Sequence, residues 1–205
     1  MKIAQECGIT LGRHLQNPRG IFDPIEDISE LATRLRQHHG PGAWWAPGIF
    51  AGDYRNQENW LGTWFVAIDG DYYAKGAGHS APPDEKRVLV ASALMDGTGF
   101  HGTPRGFRNI LPLDRFVSSA EEYEKLAHGV KVLIERGLER VGVLGLVAWG
   151  RDADGKKARI VERDGFIVDT GALFDRARLF FTPNATVEGE ASPRRADIHV
   201  IGGAR

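Results

Sequence analysis

The chain has almost no cysteine and no long apolar run, and both absences narrow the classes of protein to which it can belong. Cys7 is the only cysteine among 205 residues, which excludes an internal disulfide and a cysteine-rich zinc site and fits a reducing compartment. No apolar run approaches the roughly 20 residues that cross a bilayer. The first ten residues, MKIAQECGIT, lack the pattern of a secretory signal. We therefore expect a cytoplasmic protein that does not bind membranes.

The chain also lacks an excess of charge of either sign. It carries 26 Lys and Arg residues against 27 Asp and Glu residues, for a net charge of -1. A polyanion would therefore have to be held by a local basic patch rather than by the whole surface. Hydrophobic residues make up 42% of the sequence, so a chain of this length can bury a core of ordinary size.

Hydrophobic periodicity predicts helices and strands in a mixed order. Residues 22–42, FDPIEDISELATRLRQHHGPG, predict a helix that Asp23 caps, with Glu26 completing a capping box. Residues 118–141 predict a longer helix with Ser118 or Ser119 as its cap. Residues 106–113, GFRNILPL, predict a strand that ends at Pro112, whereas KRVLVASAL suits a strand or a short helix. Further β-like segments follow the long helix, so we expect an α/β or α+β fold with one sheet-centred core.

Two acids follow a continuous apolar run in the segment TWFVAIDGDYY. Asp69 and Asp71 are separated by Gly70, and alternate side chains of an extended backbone point to the same face. Two carboxylates on one face suit Mg²⁺ or Mn²⁺. A turn at the end of a strand would use the same residue types, so both interpretations stay open on this motif alone.

A histidine and two arginines lie close together in the segment TGFHGTPRGFRNILPL. His101 is surrounded by small residues, and Arg105 and Arg108 follow it. Guanidinium groups beside backbone N–H groups that glycine leaves accessible suit the binding of a triphosphate. The alternative is a surface loop with a solvated histidine. His79, in KGAGHSAPP, is interpreted in that second way, although it could approach a bound phosphate.

A third acid ends another apolar run in GFIVDTGALFDRARLFFTP. Asp169 follows that run as Asp69 follows the earlier one, and Arg178 opens the next β-like segment. A third carboxylate would let one site hold two divalent ions for displacement at phosphorus. Asp175 is the rival for this position, but ion pairing with the neighbouring Arg176 or Arg178 would account for it, so we prefer Asp169.

Taken in order, the segments AIDGD, GFH and IVD resemble the motifs of the archaeo-eukaryotic primase superfamily, in its phage- and plasmid-type primase-polymerase branch. That family has an acidic pair at the end of a strand, then a small residue two before a histidine, then a hydrophobic residue followed by an acid. The text FRNILPLDRFVSSAEEYEKL and DTGALFDRARLFFTPN is similar to the phage-type members as well. The similarity covers roughly residues 45–185.

The resemblance implies a fold and a division of the chain. It implies an antiparallel sheet like that of RNA-recognition motifs, with flanking helices, over about residues 61–205. An N-terminal αβ module would occupy about residues 1–60, and the active site would lie in the cleft between the two. The whole chain would then be one primase-polymerase catalytic domain, either stand-alone or cut from a longer replication protein.

The resemblance also implies an activity and a set of roles. The chain would be a DNA-dependent nucleotidyltransferase, a primase or DNA polymerase of a plasmid, phage or mobile element. Asp69, Asp71 and Asp169 would hold Mg²⁺ or Mn²⁺, and His101 would contact the phosphates of an NTP or dNTP with help from Arg108. Its partners would be a single-stranded DNA template and a replicative helicase, in trans or in a longer parent chain.

Three other interpretations of the same residues remain. The chain could be a catalytically silent primase-like module that binds nucleic acid, or a metal-dependent nuclease. A nucleotide-sugar transferase would explain the Asp-x-Asp motif but not the later segments. The connector WWAPGIFAGDYRNQENW, rich in tryptophan, is a further candidate for stacking bases or holding a template backbone.

Overall fold

The structure, a computed structural model, describes residues 6–13, 17–52, 54–152, 154–182, 185–186 and 199–201. The helices are α1 (Ile28–Gln37), α2 (Asp84–Ala93), α3 (Ala120–Arg140) and α4 (Thr170–Phe174). The strands are β1 (Gly8–Gly12), β2 (Gly20–Pro24), β3 (Gly40–Pro41), β4 (Trp44–Ala46), β5 (Gly48–Phe50), β6 (Trp60–Ala74), β7 (Gly78–His79), β8 (Gly99–Thr103), β9 (Gly106–Val117), β10 (Leu146–Arg151), β11 (Lys157–Arg163), β12 (Gly165–Val168), β13 (Phe180–Phe181), β14 (Ala185–Thr186) and β15 (His199–Val200).

A large antiparallel sheet forms around the long strand β6. Its strand order is β12-β6-β9-β8-β15, and β5 and β7 also pair with β6. A smaller antiparallel sheet has the order β13-β4-β1-β2, so the late strand β13 joins strands from the start of the chain. The strands β10 and β11 form a separate hairpin, and β14 lies parallel to β3. The predicted α+β class is confirmed.

One face of the large sheet is covered by α2 and α3. The even-numbered residues Val66, Ile68 and Tyr72 of β6 are buried on this face. The apolar stripe of α3, to which Val130 and Ile134 belong, packs against these residues of β6. This is the amphipathic pattern that predicted the helix, and it places most of the buried apolar surface between helices and sheet.

The other face of the large sheet is divided between core and cleft. Phe65 and Ala67 pack with Trp45 and Phe180 of the smaller sheet and with residues of α1. Asp69 and Asp71 follow on the same face, because side chains alternate along a strand. On this face, β6 therefore contributes first to the core, through Phe65 and Ala67, and then to the cleft, through Asp69 and Asp71.

The predicted cap of the first helix is wrong by one turn. Asp23 lies in β2, whose residues pair with β1. The helix is capped instead by Asp27, whose carboxylate accepts from the N–H groups of Ser29 and Glu30 at 2.7 and 2.8 Å. Glu30 adds a bond that resembles a capping box, because its side chain accepts from the N–H group of Glu26, the residue before the cap, at 2.7 Å.

The remaining element predictions need three adjustments. The segment KRVLVASAL forms helix α2, which settles the ambiguity in favour of a helix. The strand β9 continues past Pro112 to Val117, because a register irregularity opposite Pro112 accommodates the missing N–H group. Gly137 does not end the long helix. It lies inside α3, where a Cβ would be 2.1 Å from the Ala93 carbonyl oxygen, so it permits the close approach of α2.

Replacing Gly106 with alanine is expected to destabilise the fold by about 2 kcal/mol. A Cβ at this position would lie 1.8 Å from the backbone oxygen of Gly70 on the neighbouring strand, so the two strands would have to move apart. Gly129→Ala is the matched control. It lies on the exposed side of α3 with open space around its Cβ position, and alanine should stabilise the helix by about 0.5–1 kcal/mol. Urea unfolding of both variants tests this, and equal stabilities would contradict it.

Among the described residues, no helix has the length and apolar character that spanning a bilayer requires.

Candidate active site

A polar cleft of about 630 Å³ opens where the acids of β6 leave the core. Residues from both sheets and from the segments that connect them form its walls. These residues are Arg55, Asp69, Asp71, Thr103, Pro104, Arg105, Arg108, Asp169, Asp175, Arg178, Leu179, Phe180 and Phe181. The cleft thus combines acids and arginines, and of the seven residues predicted to bind metal or nucleotide all but His101 line it.

The three predicted acids come together at this cleft. Asp69 and Asp71 lie on one face of β6, and Asp169 follows the last residue of the neighbouring strand β12. The Asp169 N–H group donates to the backbone oxygen of Asp69 at 2.8 Å, which fixes the two chains side by side. Motifs about 100 residues apart in sequence therefore meet at adjacent positions of the sheet.

Arg108 binds Asp69 through two parallel hydrogen bonds. It lies directly opposite Asp69 in the β6–β9 register. Its Nε donates to Oδ1 at 2.7 Å and a terminal nitrogen donates to Oδ2 at 3.0 Å. The other terminal nitrogen donates to the Phe181 carbonyl oxygen at 3.0 Å, and the guanidinium lies 4.2 Å from the centre of the Phe180 ring. Since both side chains are largely buried, this is a strong charge-assisted pair.

Asp71 is held less tightly and is the electrostatically strained member of the group. Burial raises the pKa of Asp71 from its ordinary value of 3.8, the nearby His79 opposes this change, and the carboxylates of Asp69 and Asp169 add to it. The Nε2 atom of His79 lies 3.2 Å from Asp71 Oδ1. The two neighbouring carboxylates therefore help burial to raise the pKa of Asp71.

His79 was expected to be a solvated loop residue, but the structure places it beside the acids. Its ring stacks on Tyr73 at a centroid distance of 5.1 Å, and its Nδ1 lies 3.4 Å from a terminal nitrogen of Arg105. If that guanidinium donates to Nδ1, the proton on Nε2 can donate to Asp71. Glycine-rich sequence indicated the loop, but only the pairing of β7 with β6 brings His79 to Asp71.

The structure separates the roles of the two candidates for the third acid. Asp169 lies beside Asp69, and its Oδ1 also accepts from the Ala172 N–H group at 3.2 Å. Asp175 lines the same cleft, but its Oδ1 accepts from Gln57 at 3.2 Å and from the Ala177 N–H group at 3.0 Å. Asp175 also does not contribute to the raised pKa of Asp71, whereas Asp169 does. Asp169 is therefore the better partner of the acidic pair.

Two further arginines present exposed guanidinium groups at the cleft. Arg105 lies in the tight turn between β8 and β9, and Arg178 lies just before β13. Arg55 lines the cleft too, although sequence analysis did not select it individually. Its guanidinium donates to the Ala177 carbonyl oxygen and lies 5.2 Å from the Trp44 ring, and burial lowers its pKa.

His101 lies behind the cleft wall rather than on it. It occupies β8 directly opposite Arg108 and is only 3% exposed. Its Nδ1 lies 3.2 Å from the carbonyl oxygen of Gly102. Asp69, Arg108 and His101 thus form a row across three strands on one face, in which Arg108 separates the histidine from the acids. The alternative interpretation, a surface loop with a solvated histidine, is therefore wrong.

The tryptophans of the connector do not offer stacking surfaces. Trp44 and Trp45 are fully buried, and Trp60 is 8% exposed. They pack into the cores on both sides of the large sheet. The idea that these rings stack bases is therefore wrong, because burial of their large apolar surface stabilises the fold instead.

The donor types in the cleft suit a divalent cation, although one donor is occupied. Asp71 and Asp169 are the residues that would hold Mg²⁺ or Mn²⁺, and a cation beside Asp71 would offset the repulsion from its acidic neighbours. Both oxygens of Asp69 already accept hydrogen bonds from Arg108. Within the described part of the chain, no group of three or more His, Cys, Asp or Glu side chains is arranged to hold a metal ion. Asp69 would join such a site through the lone pairs that these hydrogen bonds leave on its oxygens, or by exchanging its bond to Arg108.

No protein-family model, curated protein or solved structure matches this chain. What the cleft does is therefore inferred from its own residues.

Proposed function

We propose that this chain is a DNA-dependent nucleotidyltransferase of the primase-polymerase type. It would join NTPs or dNTPs along a single-stranded DNA template, and the cleft beside β6 would be its active site. The observation that carries the proposal is the meeting of Asp69, Asp71 and Asp169 at one cleft that also contains exposed arginines. Acids alone would suit many sites, but acids facing arginines suit a substrate that brings both a metal ion and phosphates.

The connectivity of the large sheet supports the same proposal. If β7 and the β10–β11 hairpin are set aside, the elements β6, α2, β8, β9, α3 and β12 follow one another along the chain. Their four strands have the order β12-β6-β9-β8 with antiparallel neighbours. This strand order is the one expected of a split βαβ arrangement, and it supports the proposed likeness to the sheet of RNA-recognition motifs. The helices cover one face, which leaves the acids on the other face at the boundary with the smaller sheet. The fold alone does not determine a function.

The residues of the cleft can be given separate tasks in this reaction. The 3′-hydroxyl of the growing strand would lose its proton to solvent as its oxygen attacks the α-phosphorus of the nucleotide. The bond from that phosphorus to the bridging oxygen would break, and pyrophosphate would leave with this oxygen. Arg105 and Arg178, exposed at the cleft, would neutralise charge on the phosphates. Arg108 would hold the Asp69 carboxylate in place by donating hydrogen bonds to it. A divalent cation at Asp71 and Asp169 would make the hydroxyl more acidic and stabilise the leaving oxygen.

One observation favours a second candidate, a catalytically silent module that binds nucleic acid. The two hydrogen bonds from Arg108 occupy Asp69, and a protein with no need of metal could keep that pair permanently. Such a module would retain the fold and its surface but would not depend on the acids for its function.

The test is nucleotide incorporation on single-stranded DNA, with and without a primer, in Mg²⁺ and in Mn²⁺. We expect products that require the divalent cation and all four nucleotides when the template contains all four bases. Products in the lane without primer would add priming to extension. The full chain is used throughout, and chelation of the metal by EDTA is expected to abolish the products.

Two other results would contradict the proposal. Shortening of the template without nucleotides would identify a nuclease, because hydrolysis needs the acids but not a nucleotide. Binding of DNA without any reaction, in both metals, would identify the silent module.

A further inference from the structure

The hairpin of β10 and β11 stands apart from both large sheets. Within the part of the chain that the structure describes, its strands pair only with each other, and none of the residues of the two strands is buried. It is tied to the rest of the molecule through Arg159, whose guanidinium donates to the hydroxyl of Tyr73 at 2.6 Å. An isolated hairpin with no buried face is marginally stable. Packing in a core therefore does not explain which side chains this hairpin carries.

One face of this hairpin combines an exposed aromatic ring with several cations. Trp149 lies opposite Arg159, and Arg151 lies opposite Lys157, so all four side chains share a face. Trp149 is 65% exposed, the Nζ of Lys157 lies 4.6 Å from its ring centre, and the guanidinium of Arg159 lies 5.5 Å away. Both cations are near enough to interact with the indole, most of whose surface stays accessible to solvent. We name this set the Trp149 face.

The charge of the hairpin is opposite in sign to that of the whole chain. Residues 146–163 contain five Lys and Arg residues against three Asp and Glu residues, whereas the chain has a net charge of -1. The excess is local, as a polyanion would require of a protein without overall positive charge.

A groove of about 700 Å³ leads from the Trp149 face to the acids of the cleft. Trp149 and Arg159 of the hairpin line this groove together with Asp71 and Asp169. The same two acids also line the active-site cleft. Lys131 of α3 lines the groove as well, but its Nζ is paired with Glu135 at 2.7 Å. Trp149 and Arg159 of the hairpin therefore share one groove with the two acids.

We propose that the Trp149 face binds single-stranded DNA and directs it along this groove to Asp71 and Asp169. A base would stack on the exposed indole, and Lys157 and Arg151 would neutralise the flanking phosphates. A duplex offers no free base face to a single ring, so the proposal is specific to single strands. The binding of DNA rests on the hairpin alone. The assignment of that strand as template rests on the proposed function.

The test measures binding of a fluorescein-labelled oligo(dT) of 15 nucleotides by anisotropy, in EDTA and without nucleotides. Trp149→Ala is expected to weaken binding about 10-fold, because loss of one stacked base has that order of effect. Trp149→Phe keeps an aromatic face and should remain within about threefold of wild type. Leu133→Ala removes a comparably exposed apolar side chain from α3, 49% exposed, and should leave binding unchanged.

The cations are tested separately through the salt dependence of binding. Lys157→Gln is expected to reduce the slope of log affinity against log salt concentration by about 1, as loss of one phosphate contact does. Lys125→Gln, on the exposed surface of α3, is the control and should preserve the slope. Unchanged binding in Trp149→Ala, or a duplex that binds as tightly as the single strand, would overturn the proposal.

The outcome for the hairpin can be separated from the outcome for the proposed function. If the wild type binds oligo(dT) through Trp149 but incorporates no nucleotide, the Trp149 face is supported and the polymerase proposal fails. If the wild type incorporates nucleotides while Trp149→Ala binds and extends equally well, the polymerase proposal stands and the Trp149 face is overturned.

Discussion

Asp71→Asn is expected to reduce nucleotide incorporation by more than about 100-fold while leaving the folded protein at least as stable as wild type. Loss of a residue that merely supports a metal ligand costs about 10- to 100-fold, and Asp71 is proposed to be a ligand itself. Its geometry would survive the change, since asparagine has nearly the same shape and can still accept from His79, which lies 3.2 Å away.

The expected stability of this variant follows from the direction of the pKa shift. Burial raises the pKa of Asp71 above 3.8 in the folded state, so the folded chain holds this proton more tightly than the unfolded chain. The stability that Asp71 contributes is present below pH 3.8 and is lost as the pH rises through the folded-state pKa. Asparagine has no such loss. The stability gained in Asp71→Asn, on the order of 0.5–1 kcal/mol, should therefore be larger at pH 7 than at pH 4.

Urea unfolding at both pH values, together with the incorporation assay, measures the two effects on one protein. Asp114→Asn is the control, because Asp114 is exposed on β9 and does not line the cleft. It should change neither activity nor the pH dependence of stability. Full activity in Asp71→Asn would show that this carboxylate does not bind the metal. A large loss of stability would show that its charge supports the fold, contrary to the effect of its burial.

Arg108→Met is expected to lower the free energy of unfolding by about 3 kcal/mol, the largest stability effect that the cleft offers. The change leaves the Asp69 carboxylate, 17% exposed, without its counter-ion. It also removes the hydrogen bond to the Phe181 carbonyl oxygen and the contact with the Phe180 ring. Arg105→Met is the matched control, because this arginine lines the same cleft but is exposed, and it should cost no more than about 0.5 kcal/mol.

Two additional measurements isolate the charge pair from general packing. In Asp69→Asn/Arg108→Met the acid is neutral as well, so the double variant should be more stable than Arg108→Met alone. Divalent cation should also stabilise Arg108→Met more than it stabilises wild type, because Asp69 then has both oxygens available to a metal ion. Equal costs for Arg108→Met and Arg105→Met, or equal stabilisation of mutant and wild type by Mn²⁺, would contradict this account of the pair.

Patterns that depend on local periodicity were predictable from the sequence. The alternation of a strand placed Asp69 and Asp71 on one face, and the apolar stripe of α3 predicted a long helix capped by Ser118 or Ser119. The structure has Ser119 as that cap. Local sequence did not suffice where one residue suits two elements, here a helix cap and a strand. Asp23 has the properties of a helix cap, but it pairs with Ile9 of the first strand instead.

The parts of the site that depend on strand register could not be predicted. Nothing in the local sequence indicates that Arg108 lies opposite Asp69, because this follows from the pairing of β6 with β9 over eight register positions. The same holds for His79, which reaches Asp71 through a two-residue strand. The sequence also did not indicate which tryptophans are buried and which are exposed. Trp44 and Trp45 belong to the core, whereas the exposed Trp149 lies in a segment that sequence analysis interpreted only as a strand.

The single long strand β6 makes the protein intolerant of small insertions or deletions in the middle of its sequence. Phe65 and Asp69 share one side of this strand, and Ile68 lies on the opposite side against the helices. Insertion of one residue between Phe65 and Ile68 would move every later side chain of β6 to the opposite face of the sheet. The carboxylates would then face the helices, and Tyr72 would face the cleft. Substitutions, or insertions and deletions by pairs of residues, would keep this alternation. A single inserted or deleted residue should disturb the core and the cleft together.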